Sequence, residues 1–272
     1  MARSRVRRRI IVASLALGAR GAGAIVAREI WLNDTARVVD EHRAVERFRQ
    51  STAPVTEVTE VTEAAPLVAS LPEPGVYRYT TTGFEHVDVF GGSTHQYPRT
   101  TTLTVTDDGC GVLLRWDLLQ ERREEWRLCV DDRGVVWQTS GAFYHEFFQH
   151  GQVDAMTCDR PVVLVPIDRR PREGVAESCL LAGSIWTPEW RVLEQGTRAV
   201  DGRDVRVIHV RMTVDIRTRY YERTTVDYWL DDHGLPLSIA ATKISNSDSG
   251  LAGDVVYTES LTAELDSLSP LR

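Results

Sequence analysis

From residue 75 onward, short runs of alternating β-branched and aromatic residues are separated by Asp-Gly turns, and this pattern constrains the fold more than any other feature of the chain. The turns stand at 107–109, 131–134, 201–202 and 231–234. Each predicts a tight hairpin, because glycine supplies a positive φ and aspartate hydrogen-bonds to its own turn. No long window in this region carries the apolar stripe of a helix. The sequence therefore predicts a mainly β domain over residues 75–272, built as a long and mostly antiparallel meander.

The hairpin around residue 120 can be predicted residue by residue. Its strands pair so that one face is apolar and the other carries opposite charges, as cross-strand energetics favour. The predicted partners are Val112 with Leu128, Leu114 with Trp126, Arg115 with Glu125, and Asp117 with Arg123. In this register Cys110 and Cys129 lie on opposite faces of the hairpin.

The chain contains four cysteines, with no Cys-x-x-Cys and no histidine spacing suited to zinc. In an oxidising compartment they predict two disulfides, for which three connectivities exist. We expect the sequential pairing, Cys110–Cys129 and Cys158–Cys179, because it closes the shortest loops. The first bond then requires a bulge at 109–111 that brings both cysteines to one face. The alternative is that all four are reduced and buried as small apolar side chains.

The first 32 residues have the charge pattern of a membrane-targeting segment. Five arginines in residues 1–9 precede an apolar stretch over 10–32, which is long enough to cross a bilayer with its basic end in the cytoplasm. Arg20 near its middle costs roughly 2.5–3.5 kcal/mol on insertion, which the large apolar residues about balance. We expect a single-pass anchor with a cytoplasmic tail over 1–9. The alternative is a signal peptide cleaved at residues 22–24, after which the chain is secreted.

Two segments connect this N-terminus to the β domain. Residues 33–50 predict a short helix, with Asn33, Asp34 and Thr35 as candidate N-caps. Residues 51–74 are rich in Thr, Glu, Ala and Pro and contain a Val-Thr-Glu triplet three times, which predicts a flexible acidic linker.

The net charge of −7 argues against a general nucleic-acid binder. Residues 1–50 carry 11 arginines against 5 acids, so the positive charge is concentrated at the N-terminus and the other residues carry −13. We expect a membrane as partner through the N-terminal segment, and an envelope protein or a lipid as ligand of the β domain.

His86, Asp88 and His95 form the one polar constellation that we single out as a candidate site. They fall in or near an alternating strand and could form a small metal or proton site, although polar residues on a solvated face are commoner. The segment 145–150 reads H-E-x-x-x-H, one residue too long for two zinc ligands on adjacent helical turns. A nucleophile elbow and a phosphate loop are both missing from the sequence. We therefore expect no cofactor, no metal and no enzymatic activity.

Several segments make the chain similar to a group of uncharacterised actinobacterial membrane-anchored proteins. These segments are residues 29–34 (EIWLND), 74–83 (PGVYRYTTTG), 97–102 (YPRTTT), 109–111 (GCG) and 115–116 (RW). The resemblance implies export, anchoring and disulfides, and it implies no activity and no site residues. More distantly, a long antiparallel sheet on an envelope tether is similar to the half-barrel of lipoprotein carriers. That analogy implies a sheet curled into a half-barrel or open barrel.

Two functions fit these expectations, and a third is least favoured. The first is a non-catalytic, membrane-anchored cell-envelope protein whose extracytoplasmic β domain binds an envelope partner or ligand. The second is a carrier or sensor of a hydrophobic ligand held on the concave side of the sheet. The third is a hydrolase that uses His86, Asp88 and His95.

Overall fold

The structure, a computed structural model, describes residues 35–52, 71–131, 135–165, 175–176, 178–182, 184–217, 221–248 and 253–272. The predicted cytoplasmic tail, the predicted anchor and most of the predicted linker lie outside these residues. Within them, no helix combines the length and the apolar character that crossing a bilayer requires.

The described part of the chain is mainly β, as predicted, with one short helix before the sheet. The helix α1 spans Glu41–Ser51. The strands are β1 Gly75–Val87, β2 Ser93–Gln96, β3 Thr100–Asp108, β4 Gly111–Asp117, β5 Arg122–Val130, β6 Val136–Phe147, β7 His150–Val165, β8 Val175–Ala176, β9 Cys179–Leu181, β10 Ser184–Trp186, β11 Glu189–Val200, β12 Arg203–Arg217, β13 Tyr221–Leu230, β14 Pro236–Asp248 and β15 Asp254–Leu265.

These strands form one antiparallel sheet that curls into a half-barrel. Its order is β10-β9-β7-β6-β5-β4-β3-β1-β15-β14-β13-β12-β11-β8, with β2 paired to β1. The meander is interrupted at the centre of the sheet, where the first strand, β1, pairs with the last, β15. The paired residues run from Tyr79–Leu265 to Val87–Tyr257. Only residues 187 and 188 separate β10 from β11, so these strands near the two ends of the sheet lie at most about 11 Å apart there.

The concave side of the sheet holds the core, which joins the two halves through aromatic contacts. The Trp126 ring on β5 lies 6.4 Å from that of Tyr228 on β13, and Tyr228 stacks on Trp190 of β11 at 6.1 Å. Trp116 and Leu103 are almost fully buried beside them. Strands from opposite halves therefore share one interior.

The predicted register of the β4–β5 hairpin is confirmed at all four predicted pairs. Both predicted disulfides, Cys110–Cys129 and Cys158–Cys179, are also confirmed. The predicted bulge at 109–111 was wrong: β3 ends at Asp108, β4 begins at Gly111, and Cys110 lies in the two-residue turn between them. Side chains alternate between the two faces only within a strand. Because Cys110 lies in the turn, its side chain can reach Cys129 without a change of register.

The helix begins later than predicted. Its N-cap is Asp40, whose carboxylate accepts a hydrogen bond from the His42 backbone N–H at 3.1 Å, and not Asn33, Asp34 or Thr35. The preceding chain is held outside a helix because the backbone N–H of Arg37 donates to Glu121 and its carbonyl accepts from Gln120. Because of these contacts, residues 35–40 lie along the loop between β4 and β5.

The β domain begins slightly earlier than the predicted boundary at 75. Leu71 packs against the core, Pro72 is buried, and the Tyr77 hydroxyl donates to the carbonyl of Glu73 at 2.8 Å. The last four residues of the predicted linker are therefore part of the folded domain.

Candidate binding cavity

The structure separates the three residues of the predicted polar site. His86 and Asp88 lie on the outer side of the sheet, where His86 hydrogen-bonds to Thr94 at 2.8 Å and Asp88 accepts from the Val256 backbone N–H at 2.7 Å. His95 is fully buried on the inner side, 3.0 Å from Glu85. The three residues therefore do not form one site, and only His95 lies in the interior.

His95 belongs to an interior charge cluster, which consists of Glu85, His95, Arg122, Glu124, His145 and Glu259. Glu85 on β1 is at its centre and is fully buried. One carboxylate oxygen of Glu85 contacts His95 Nδ1 at 3.0 Å, and the other contacts His145 Nδ1 at 3.3 Å and accepts from the Tyr257 hydroxyl at 3.1 Å. This carboxylate therefore joins side chains from four strands.

Arg122 on β5 is the cation of the cluster. Its side chain is 3% exposed and donates to Glu124 and to both carboxylate oxygens of Glu259, at 3.2 and 3.3 Å. Glu259 on β15 also accepts from the hydroxyls of Tyr97 at 2.5 Å and Tyr257 at 3.0 Å. Buried charges are tolerated only when they are paired and hydrogen-bonded in this way.

The surroundings separate the proton affinities of these groups. Burial raises the pKa of Glu259, but the Arg122 charge and the other favourable contacts outweigh burial and lower it to about 2. For Glu85 burial also raises the pKa, and the hydrogen bonds of His145 and His95 outweigh it, so the net shift is downward. In Glu124 burial prevails and raises the pKa. Burial lowers the pKa of His145, aided by the nearby Arg122 charge. The cluster thus favours ionised Glu85 and Glu259 beside a neutral His145.

A cavity of about 60 Å³ adjoins the cluster inside the half-barrel. Its walls combine charged side chains with aromatic and thioether side chains from both halves of the sheet, among them Trp126, Met156, Trp186, Trp190, Met212 and Tyr228. A cavity of this volume is large enough for a few water molecules or a compact ligand.

Two buried donors of the cavity wall lack a hydrogen bond within the described part of the chain. The indole N–H of Trp190, a residue only 7% exposed, is one of them. The other is Arg122 Nε, which lies 3.8 Å from Glu85, beyond hydrogen-bond distance. An unsatisfied buried donor costs about 1–3 kcal/mol, so an acceptor in the cavity would be strongly favoured.

The half-barrel has two further spaces: a second cavity that adjoins the first, and a cleft at one end of the sheet. An apolar cavity of about 30 Å³ shares Trp126, Gln138, Trp190 and Tyr228 with the first one. A cleft of about 590 Å³ opens at one end of the sheet, with Leu71, Tyr77, Val205, Leu235 and Leu268 in its walls.

The chain matches no protein-family model, no curated protein and no solved structure. Among the described residues, no group of three or more His, Cys, Asp or Glu side chains could hold a metal ion.

Sequence reasoning missed most of the interior charge cluster, although a signal was present. In β1 the inward side chains are Tyr77, Tyr79, Thr81 and Glu85, which all have odd numbers. In β5 the predicted register already placed Trp126 and Leu128 on the apolar face, and Arg122 and Glu124 share their parity. A charged residue at an inward position of a strand was the available sign of a buried ionic site.

His145 was noticed in the sequence only as part of the rejected H-E-x-x-x-H segment. In the structure the first three residues of this segment lie on a strand, since β6 runs to Phe147. His145 contacts Glu85 in the interior, whereas the Glu146 carboxylate accepts from Tyr144 at 2.5 Å. His145 therefore takes its role from partners distant in sequence.

Proposed function

We propose that the protein is a non-catalytic, membrane-anchored cell-envelope protein whose extracytoplasmic β domain binds a ligand inside the half-barrel. The observation that carries this proposal is the buried Trp190 side chain, which lines a cavity and whose N–H has no acceptor in the described part of the chain. Aromatic walls with a few polar groups are typical of small-molecule sites.

The two disulfides support the extracytoplasmic part of the proposal. Structural disulfides persist in oxidising compartments and are rare in the cytosol. This agrees with the predicted anchor over residues 10–32, and with the resemblance to actinobacterial membrane-anchored proteins. In this proposal the predicted anchor is followed almost directly by residues 35–40 and α1, which contact the β domain through Arg37–Glu121 and Arg47–Asp117.

The geometry supports binding better than hydrolysis. The carboxylates of Glu85 and Glu259 are each occupied by several hydrogen bonds from neighbouring side chains, so they serve first to join strands. His86 and Asp88, the other candidates for catalysis, lie on the opposite side of the sheet from His95. A general base must lie within hydrogen-bond reach of the reacting group. Residues on opposite sides of the sheet cannot reach the same reacting group.

Native mass spectrometry of the full chain, extracted from membranes of an actinobacterial host in mild detergent, tests this proposal. We expect an added mass that is released on denaturation. Ala241 lines the cavity, so Ala241→Leu fills it and removes the added mass. Ala240, the preceding residue on β14, faces the other side of the sheet, and Ala240→Leu is the matched control that retains the mass. A wild-type chain with no added mass, or one that Ala241→Leu does not affect, would contradict the proposal.

A second candidate is carriage of a hydrophobic ligand, which the half-barrel and the cleft of about 590 Å³ favour. This volume lies in the range of small-molecule sites, whereas the interior cavity is smaller. Displacement of a fluorescent fatty-acid probe by phospholipid would support this candidate if Leu235→Gln, in the cleft wall, weakens it. Uptake that Leu235→Gln leaves unchanged would exclude the cleft.

A further inference from the structure

We infer that the interior cavity takes a compact, uncharged ligand that has an acceptor oxygen at one end and an apolar body. This inference rests on the proposed function, since it names the ligand class of the same cavity. It follows from which hydrogen-bonding groups of the wall already have partners, which do not, and how the charged side chains of the wall contact one another.

The carboxylates of Glu259 and Glu222 in the wall are engaged by the protein itself. Glu259 accepts from Arg122 and two tyrosines. Glu222 accepts from the indole N–H of Trp186 at 3.4 Å and from the Thr224 hydroxyl at 2.8 Å. A ligand that offers only donors would therefore compete with bonds that already exist.

The buried polar atoms of wall residues that lack a hydrogen bond within the described part of the chain are both donors. Trp190 and Arg122 line the cavity, and the buried atoms Trp190 Nε1 and Arg122 Nε form no hydrogen bond with the described residues. A carbonyl, ether or hydroxyl oxygen placed between these walls would satisfy at least one buried donor. The ligand's acceptor end is therefore assigned to the Trp190 side of the cavity.

The charged side chains of the wall, two cations and three carboxylates, contact one another, and none of them is left as the sole partner of a ligand charge. Arg122 contacts Glu124 and Glu259, and the Lys243 ammonium lies 3.8 Å from Glu222. An anion would lie near three carboxylates, and a cation would lie near Arg122 and Lys243. Burying an additional unpaired charge among them is costly, which favours an uncharged ligand.

The apolar end has a place in the adjoining cavity of about 30 Å³. Trp126, Trp190 and Tyr228 form walls of both cavities, and the smaller one is completed by Leu128 and Leu230. A ligand whose oxygen accepts from Trp190 would thus place an aliphatic or small aromatic body between these rings. The two volumes limit that body to a few carbon atoms.

Headspace partitioning of 2-pentanone and of pentane onto the full chain tests the inference, because these probes share a carbon skeleton and differ in the carbonyl. Trp190→Phe removes the unengaged N–H, and Trp186→Phe is the matched control because its N–H already bonds to Glu222. We expect Trp190→Phe to weaken 2-pentanone binding by about 2- to 10-fold relative to pentane, the size of one neutral hydrogen bond. Trp186→Phe should change both probes by the same factor. Thermal melts identify any variant that fails to fold, and Trp190→Leu, which also has no side-chain donor, then replaces Trp190→Phe.

The outcomes separate this inference from the proposed function. If both probes bind and Trp190→Phe affects them equally, the cavity binds small molecules but the acceptor-oxygen class is wrong. If neither probe binds and the membrane-extracted chain still carries an added mass, the ligand class is also wrong and the proposed function stands. If neither probe binds and no mass is carried, the cavity holds water only and both proposals fail.

Discussion

Replacing Glu259 by glutamine should destabilise the fold strongly at neutral pH and much less in acid. The Glu259 carboxylate is 6% exposed and is held by Arg122, Tyr97 and Tyr257. Because its pKa falls from 4.5 to about 2 on folding, its ionised form contributes about 3 kcal/mol to stability at pH 7, at roughly 1.4 kcal/mol per tenfold change in proton affinity. Glu259→Gln removes this contribution.

The sign of the pH dependence follows from the lowered pKa. A carboxyl group with a lower pKa in the folded than in the unfolded state stabilises the fold above its ordinary pKa, and this contribution is lost as the pH falls toward about 2. The difference between wild type and Glu259→Gln should therefore be largest at pH 7 and fall to about half or less by pH 3.

Urea unfolding followed by tryptophan fluorescence at pH 7 and pH 3 measures both differences. Glu124→Gln is the matched control, because Glu124 bonds to the same Arg122 nitrogen but has a pKa that burial raises. The ionised Glu124 side chain therefore lowers the stability of the fold at neutral pH. Glu124→Gln removes this charge, so it should destabilise the fold less than Glu259→Gln does, or should stabilise it. Equal losses for the two variants at pH 7, or a Glu259→Gln loss that does not change with pH, would refute this account of the cluster.

Three further predictions concern the rest of the fold. The disulfides span sequence separations of 19 and 21 residues, so reduction of each should lower the free energy of unfolding by about 3 kcal/mol; urea midpoints unchanged by reductant would contradict this. Arg47→Ala removes a 2.6 Å hydrogen bond to the buried Asp117 and should lower the free energy of unfolding by about 1–2 kcal/mol. Its control, Arg217→Ala at an exposed ion pair, should lower it by at most about 0.5 kcal/mol. Equal shifts in melting temperature for the two variants would argue against this role of Arg47. Leu103→Ala, at a fully buried position, should cost about 2–5 kcal/mol in the same urea assay, and a loss below about 1 kcal/mol would show a looser core.

Local features of the fold could be predicted from the sequence because they depend on neighbours in the chain. The β4–β5 register follows from alternating side chains and a short turn, and it is confirmed pair by pair. The pairing of β1 with β15 could not be predicted in this way, because its partners are about 170 to 186 residues apart and no turn connects them. The start of α1 was misplaced for a similar reason, since Glu121 holds Arg37 outside the helix from 84 residues away.

The candidate site was less predictable than the fold. His95 was chosen because it lies near His86 and Asp88 in sequence, but it lies on β2 opposite Glu85, and Glu85 and His86 point to opposite faces of β1. Its true partner, Glu85, lies ten residues earlier on a paired strand. The unengaged N–H of Trp190 could not be inferred from the sequence at all, because a hydrogen bond that is missing is visible only once all neighbours are in place.

The mass of the intact chain after thiol alkylation, with and without prior reduction, tests most directly the claim that this is an anchored domain oxidised outside the cytoplasm. Full chain recovered from the membrane fraction should gain no alkyl group before reduction and four afterwards, because all four cysteines form disulfides. Full-length protein in the cytosolic fraction that gains four alkyl groups without reduction would contradict the claim.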